Sequence, residues 1–353
     1  MTDQATPIWR RVAQGLFSLV VVVGIFWFVL PKLADFGEVW QTITEMTNLE
    51  IGVLAAVAAF NLWTYLPVNM SVLPGLRARE AFVSNNASTA VTNTLPAGSA
   101  IGLGMTFAMY RSWGFDNAAV TLAILVSGVL NTFVKLGMPI VALGLLAAQG
   151  QSSPALVTAA LVGVLILAVA VAVVAAMLHT DALARRIGDW LGSAATAVVR
   201  LVRRPPVVGL GEKVVSFRQR TIGLLATRGW YATFATILSH VSLYAVLLVS
   251  LRQVGVSEDE VSWTAALAAF SFGRLLTAIP ITPGGLGVIE LGYVAALSIG
   301  LDSSTTAQIV AAVIVFRVLT FLPPIFIGVV AYLFWQNNSS WRRPVGSQPV
   351  TTS

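Results

Sequence analysis

Four ionisable side chains fall inside stretches otherwise too apolar for them: Lys135, Arg274, Glu290 and Arg317. Charges in such surroundings are costly, usually face the interior of a helix bundle, and mark binding sites or transport pathways by default. Three cations against one acid leave the interior electropositive. That suits an anionic passenger, such as a phosphate headgroup, better than a metal cation or a proton relay. Glu290 and Arg317 are expected to pair or to share one polar cavity. Arg274 precedes a glycine-rich break by about two turns and is expected to face the same cavity. Lys135, nearer the end of its helix, is expected to snorkel.

The break reads Ile281-Thr282-Pro283-Gly284-Gly285-Leu286-Gly287 and carries no charged or aromatic anchor to hold it at a membrane surface. Its glycines permit close backbone approach, and the N–H groups opening the following helix can hold an anion. The stretch from Gly285 to Gly300 would be only roughly 24 Å long as a helix, short of a full crossing. A re-entrant hairpin turning near mid-bilayer is therefore expected, its bare backbone buried in protein or facing a watery cavity. A second interrupted stretch, 80–114, carries Asn85, Asn86, Thr92 and Asn93, which are expected to line a cavity or bond to neighbouring helices. Gly98-x-x-x-Gly102 reads as a helix-packing face.

The elements that must position these residues follow from hydropathy. Hydrophobic residues make up 57% of the 353-residue chain and charged ones only 10%, against about a quarter charged in a soluble domain. An all-α polytopic membrane protein follows, with full spans expected near 12–31, 51–73, 117–148, 154–178, 230–251 and 304–335, plus two re-entrant helical hairpins. The first apolar run is read as a retained span. Lys and Arg concentrate at 10–11, 77–79, 111, 185–228 and 342–343. The acids Asp35, Glu38, Glu45 and Glu258-Asp259-Glu260 lie in the opposite set of segments. This asymmetry places both termini in the cytoplasm, and the expected location is a bacterial inner membrane. Residues 1–335 are expected to form one transmembrane domain. Within it, the basic segment 179–229 forms a cytoplasmic loop resting on anionic headgroups, and 336–353 is expected to be a disordered tail.

With no cysteine, thiolate chemistry is absent, and two histidines do not suggest a metal cluster. No Walker motif is present, so ATP hydrolysis is not expected. No cofactor, metal or nucleic-acid partner is expected, and the basic isoelectric point reports orientation.

An internal correspondence organises the charged sites. Trp113-Gly114-Phe115-Asp116 and Asn131 recur 186 residues later as Ile299-Gly300-Leu301-Asp302 and Arg317. Leu95-Pro96-Ala97-Gly98 recurs, within one residue of that spacing, as Thr282-Pro283-Gly284-Gly285. Three full spans lie between the copies, so the second is expected to be inverted relative to the first, as repeats of about 51–148 and 230–335. Inverted repeats broken at matching positions are a mark of transporters whose substrate site lies near the midplane.

The block Pro280-Ile-Thr-Pro-Gly-Gly-Leu-Gly-Val-Ile-Glu290, followed by Gly300 and Arg317, resembles the flippase-like family named for the lysylphosphatidylglycerol synthase transmembrane region. Leu95 to Gly98 and Arg111 to Gly114 resemble that family's first-half motif. The resemblance covers about residues 10–335. It implies two inverted re-entrant helices around a cavity and movement of an aminoacylated phospholipid between leaflets. The residues carried over are Pro283, Gly284, Gly285, Gly287, Glu290 and Arg317. The chain departs from the family at Ala97-Gly98-Ser99-Ala100, where a more glycine-rich pattern is usual. It also ends about twenty residues past its last expected span, so synthesis of the lipid by an attached transferring domain is not expected.

The expected function is transport of an anionic phospholipid or lipid-linked intermediate, with the substrate site drawn from Arg317, Glu290, Arg274, Pro283, Gly284, Gly285, Gly287, Asn85, Asn86 and Asn131. Two alternatives remain open: a membrane-embedded transferase acting on lipid phosphates, and an accessory subunit of a lipid-modifying enzyme. The oligomeric state is left open.

Overall fold

A computed structural model describes residues 36–95, 97–150, 154–201, 209–277, 282–344 and 346. The span expected at 12–31 lies outside the described residues. The helices are α1 (Phe36–Thr44), α2 (Asn48–Val72), α3 (Ala78–Thr94), α4 (Gly98–Ser112), α5 (Asn117–Ala148), α6 (Pro154–His179), α7 (Asp181–Leu201), α8 (Leu210–Gln253), α9 (Trp263–Leu276), α10 (Val288–Leu297) and α11 (Ser303–Asn337). Among the described residues, five helices are long and apolar enough to cross a membrane: α2, α5, α6, α8 and α11. The chain is an all-α multi-pass membrane protein.

Two helix pairs, α3–α4 and α9–α10, fall where the two interrupted stretches were expected, and each pair packs on itself. The packing between halves is reciprocal. α11 lies along α3, α5 lies along α9, and α2 lies along α8. Matching turns mark the joins. Gly114 and Gly300 both have positive φ, at 90° and 77°. The residue two positions on caps the following helix: Asp116 accepts from the Ala119 N–H at 2.8 Å, and Asp302 accepts from the Thr305 N–H at 2.8 Å. Upstream, the Arg77 N–H donates to Glu80 at 3.0 Å and the Ser257 N–H donates to Glu260 at 2.7 Å. Asp116, Asp302 and Glu80 each satisfy an N–H that a helix start leaves without an intrahelical partner, and Glu260 closes a turn ahead of α9.

The helix contacts are those of a membrane bundle, where small residues permit close approach and polar side chains bond across interfaces. A Cβ added at Gly102 would fall 2.7 Å from the Thr92 hydroxyl, and one at Gly328 would fall 2.2 Å from the Asn86 carbonyl. These glycines set the α4–α3 and α11–α3 separations. Between α2 and α8, Asn61 donates to the Ser242 hydroxyl at 2.8 Å and to the Ser239 carbonyl at 3.2 Å. Two apolar clusters fill the rest. One surrounds Tyr110 and Trp113, the other Phe270, Tyr293 and Phe316.

Within the segment 179–229, residues 181–201 and 210–229 are helical. α7 folds back on α8, with Arg185 paired to Glu212 and Arg218 to Asp181 at 2.5 Å. Arg218 also donates to the carbonyls of Leu178 and His179, which end α6 and would otherwise lack partners. At 44 residues, α8 is about 66 Å long, roughly twice the hydrocarbon thickness, so one half must project from the membrane.

Of the tail 336–353, expected to be disordered, the described residues 336–344 make defined contacts. α11 continues to Asn337 and a short 3-10 turn follows at Ser339–Trp341. Arg343 then donates to Glu80 at 2.7 Å, and its N–H donates to the Ser112 carbonyl at 2.9 Å. Trp341 packs edge-on to Trp113 and lies under the Arg79 guanidinium. The tail thus straps the ends of α3 and α4 together. Glu80 is fully buried, so Arg343→Ala leaves a buried carboxylate without its cation. The expected result is a loss of about 2–3 kcal/mol, read as a lower unfolding midpoint in detergent.

The Glu260 turn and the Asp302 cap predict an acid sensitivity. Hydrogen bonds from the Ser257 backbone hold the Glu260 carboxyl below its ordinary value of 4.5. The Thr305 backbone does the same for Asp302, below 3.8. Lowered folded-state values mean that the stabilisation is complete above the ordinary values and is lost as pH falls through the lowered ones. Thermal unfolding followed from neutral pH downward should show this fall, and Asp302→Asn should make it shallower.

Candidate functional site

The glycine-rich break forms a compact turn. Gly284, Gly285 and Gly287 all have positive φ, at 59°, 71° and 82°, a region that other residues enter only at a cost. The Gly285 N–H closes the turn on the Thr282 carbonyl at 3.0 Å, and the Thr282 hydroxyl donates to the Leu286 carbonyl at 2.8 Å. α10 starts directly afterwards. That puts Glu290 in its first turn, where the free N–H ends favour a carboxylate.

Arg317 on α11 reaches this turn. Its Nε donates to Glu290 Oε1 at 2.5 Å, and an Nη donates to the Gly284 carbonyl at 2.9 Å. Phe321, one helical turn along, lies under the guanidinium at 4.9 Å. The expected pairing of Glu290 with Arg317 is a direct contact. Glu290 is 3% exposed, so the pair is held in a low-dielectric setting where a charge-assisted bond is strong and a lone charge costly. One guanidinium thereby ties α11, the turn and the start of α10 together.

Other expected residues distribute around this centre. Arg274 sits near the end of α9, and its Nε is buried with no hydrogen-bond partner among the described residues. It lies within electrostatic range of Tyr293, which Arg317 and Glu290 also reach. Pro283 opens the turn. Asn131 lies on α5, one turn before Lys135. Asn85 and Asn86 stand elsewhere. The Asn69 amide reaches Asn85 at 3.5 Å, within a cluster including Tyr110 and Ser84. Asn86 donates to the Phe82 carbonyl and backs onto Gly328, about 16 Å along α11 from Arg317. The α3 residue that does approach the turn is Asn93, whose Oδ1 lies 3.2 Å from where a Gly284 Cβ would stand.

Lys135 does not snorkel. Its ammonium donates to the Thr277 hydroxyl at 3.3 Å, at the end of α9 next to the break. Phe321, Tyr293 and His240 also surround this region without having been singled out. Phe321 had a signal, being four residues beyond Arg317 and therefore on the same helix face. His240, a lone histidine within an apolar span, deserved the same suspicion as the four charges.

Comparison with protein-family models matches residues 15–328 to the lysylphosphatidylglycerol synthase TM region. Comparison with curated proteins finds no match.

Proposed function

The chain belongs to the lysylphosphatidylglycerol synthase TM region family, and we propose that it moves an anionic phospholipid or lipid-linked intermediate between membrane leaflets. The observation that carries this reading is the Arg317–Glu290 pair closed on the Gly284 carbonyl, a charged latch at an interrupted helix inside an apolar bundle. Opening the latch frees the Arg317 guanidinium beside the N–H groups at the start of α10. Those donors suit a phosphate group.

In this reading α3–α4 and α9–α10 are re-entrant hairpins, and the chain is an inverted repeat. Its reciprocal helix packing and paired Asp116 and Asp302 caps support that relation. Alternating access then rocks one half against the other around the latch. The charge asymmetry favours a bacterial inner membrane with both termini in the cytoplasm. An enzyme that makes or modifies the lipid is the natural partner.

Mass spectrometry of lipids retained by the purified protein tests this. Enrichment of one anionic lipid, abolished by Arg317→Ala, is the expected result. Identical bulk lipid on both proteins would count against it and favour a structural lock.

A further inference from the structure

The Arg317–Glu290 pair is closed on itself, yet Arg274 reaches the same Tyr293, and Lys135 lies within electrostatic range of Arg274. Arg274 Nε is buried without a hydrogen-bond partner among the described residues. Lys135 bonds only the Thr277 hydroxyl among the described residues, which leaves N–H capacity on its ammonium. The two lie within electrostatic range of each other and of His240. Glu290, the acid within electrostatic range of the same Tyr293 as Arg274, is already held by Arg317. Two cations with no carboxylate paired to them among the described residues are costly in such surroundings unless something anionic joins them.

His240 narrows what that something is. It is 4% exposed, and its Nδ1 faces the Thr236 carbonyl at 3.1 Å. A carbonyl only accepts, so Nδ1 carries the proton and Nε2 presents a lone pair. That Nε2 is buried and has no partner among the described residues. The cluster therefore offers two cationic donors and one neutral acceptor. A phosphodiester carries one negative charge and no P–OH. A phosphomonoester carries close to two charges near neutral pH, with a second ionisation near pH 6, so part of it retains a P–OH that Nε2 can accept.

We propose that Arg274, Lys135 and His240 form a subsite for a phosphomonoester group, beside the Arg317–Glu290 latch and separate from it. For its lipid source the proposal rests on the transport reading above. It narrows the passenger to a lipid ending in a phosphomonoester, of the phosphatidate or polyprenyl-phosphate kind.

The test measures binding to the full chain in nanodiscs with phosphatidic acid, phosphatidylglycerol and inorganic phosphate as probes. Wild type is expected to prefer phosphatidic acid over phosphatidylglycerol by about tenfold, the scale of one charge-assisted hydrogen bond. Arg274→Gln should remove that preference. Because it also removes a buried unpaired charge, the unliganded variant should unfold no earlier than wild type. His240→Phe should lower the preference while leaving both cations in place. Equal affinity for the two lipids, or an unchanged preference in Arg274→Gln, would overturn the subsite. Inorganic phosphate competing as well as phosphatidic acid would overturn its link to a lipid. Leaflet exchange without any phosphomonoester preference sinks the subsite alone, whereas the preference without exchange sinks the transport reading alone.

Discussion

Arg317→Ala is expected to abolish lipid exchange and to cost about 3–5 kcal/mol of stability, because it strands a buried carboxylate. The stability loss comes from Glu290, which is 3% exposed and whose Oε2 already lacks a partner. Removing the guanidinium strips Oε1 of its donor too, and frees the Gly284 carbonyl. A structural lock and a transport latch both predict that loss, so the double variant Arg317→Leu with Glu290→Leu separates them. Replacing both members of a buried pair with apolar residues is often neutral or stabilising. The double variant should therefore unfold near the wild-type midpoint and still fail to exchange lipid. A double variant that folds and exchanges normally would reduce the pair to scaffolding.

Gly284→Ala is expected to have the next largest effect. Its φ of 59° disfavours a side chain, and an added Cβ would fall 2.3 Å from the Phe321 ring. The strain and the clash together cost about 2–3 kcal/mol. Phe321 cannot simply yield, since it also carries the Arg317 guanidinium. Displacing the ring moves the cation, so exchange should fall by about tenfold or more, for a barrier increase of at least 1.4 kcal/mol. Gly104→Ala is the control, because a Cβ there meets nothing within 4 Å. It should leave unfolding and exchange close to wild type. A Gly284→Ala protein indistinguishable from wild type would show that the turn is not held against α11 as described.

Much of this arrangement was legible from residue types. Hydropathy located α2, α5, α6 and α11 because nearly every residue in them is apolar, and that signal needs no partner. The Glu290–Arg317 contact was legible because a lone acid in an apolar helix has few cations to meet. The projecting half of α8 was not, since Arg218, Arg220 and Arg228 carry no apolar signal and its helicity comes from packing on α7. Nor was the strap, because Arg343 finds Glu80 across 263 residues of sequence. Lys135 was misjudged for the same reason. Its distance from the helix end suggested snorkelling, while its partner Thr277 sits on another helix, 142 residues away. Asn85 and Asn86 were expected to line a cavity or to bond to neighbouring helices. Which neighbour each would face depended on the position of Gly328, which pattern alone does not reveal.

The most direct test is leaflet exchange in proteoliposomes, comparing labelled anionic and zwitterionic phospholipids with wild type and the Arg317/Glu290 double-leucine variant. Wild type should accelerate exchange of at least one anionic lipid over protein-free vesicles and over the folded variant. Exchange no faster than in protein-free vesicles for every anionic lipid tried, phosphomonoesters included, would contradict the account.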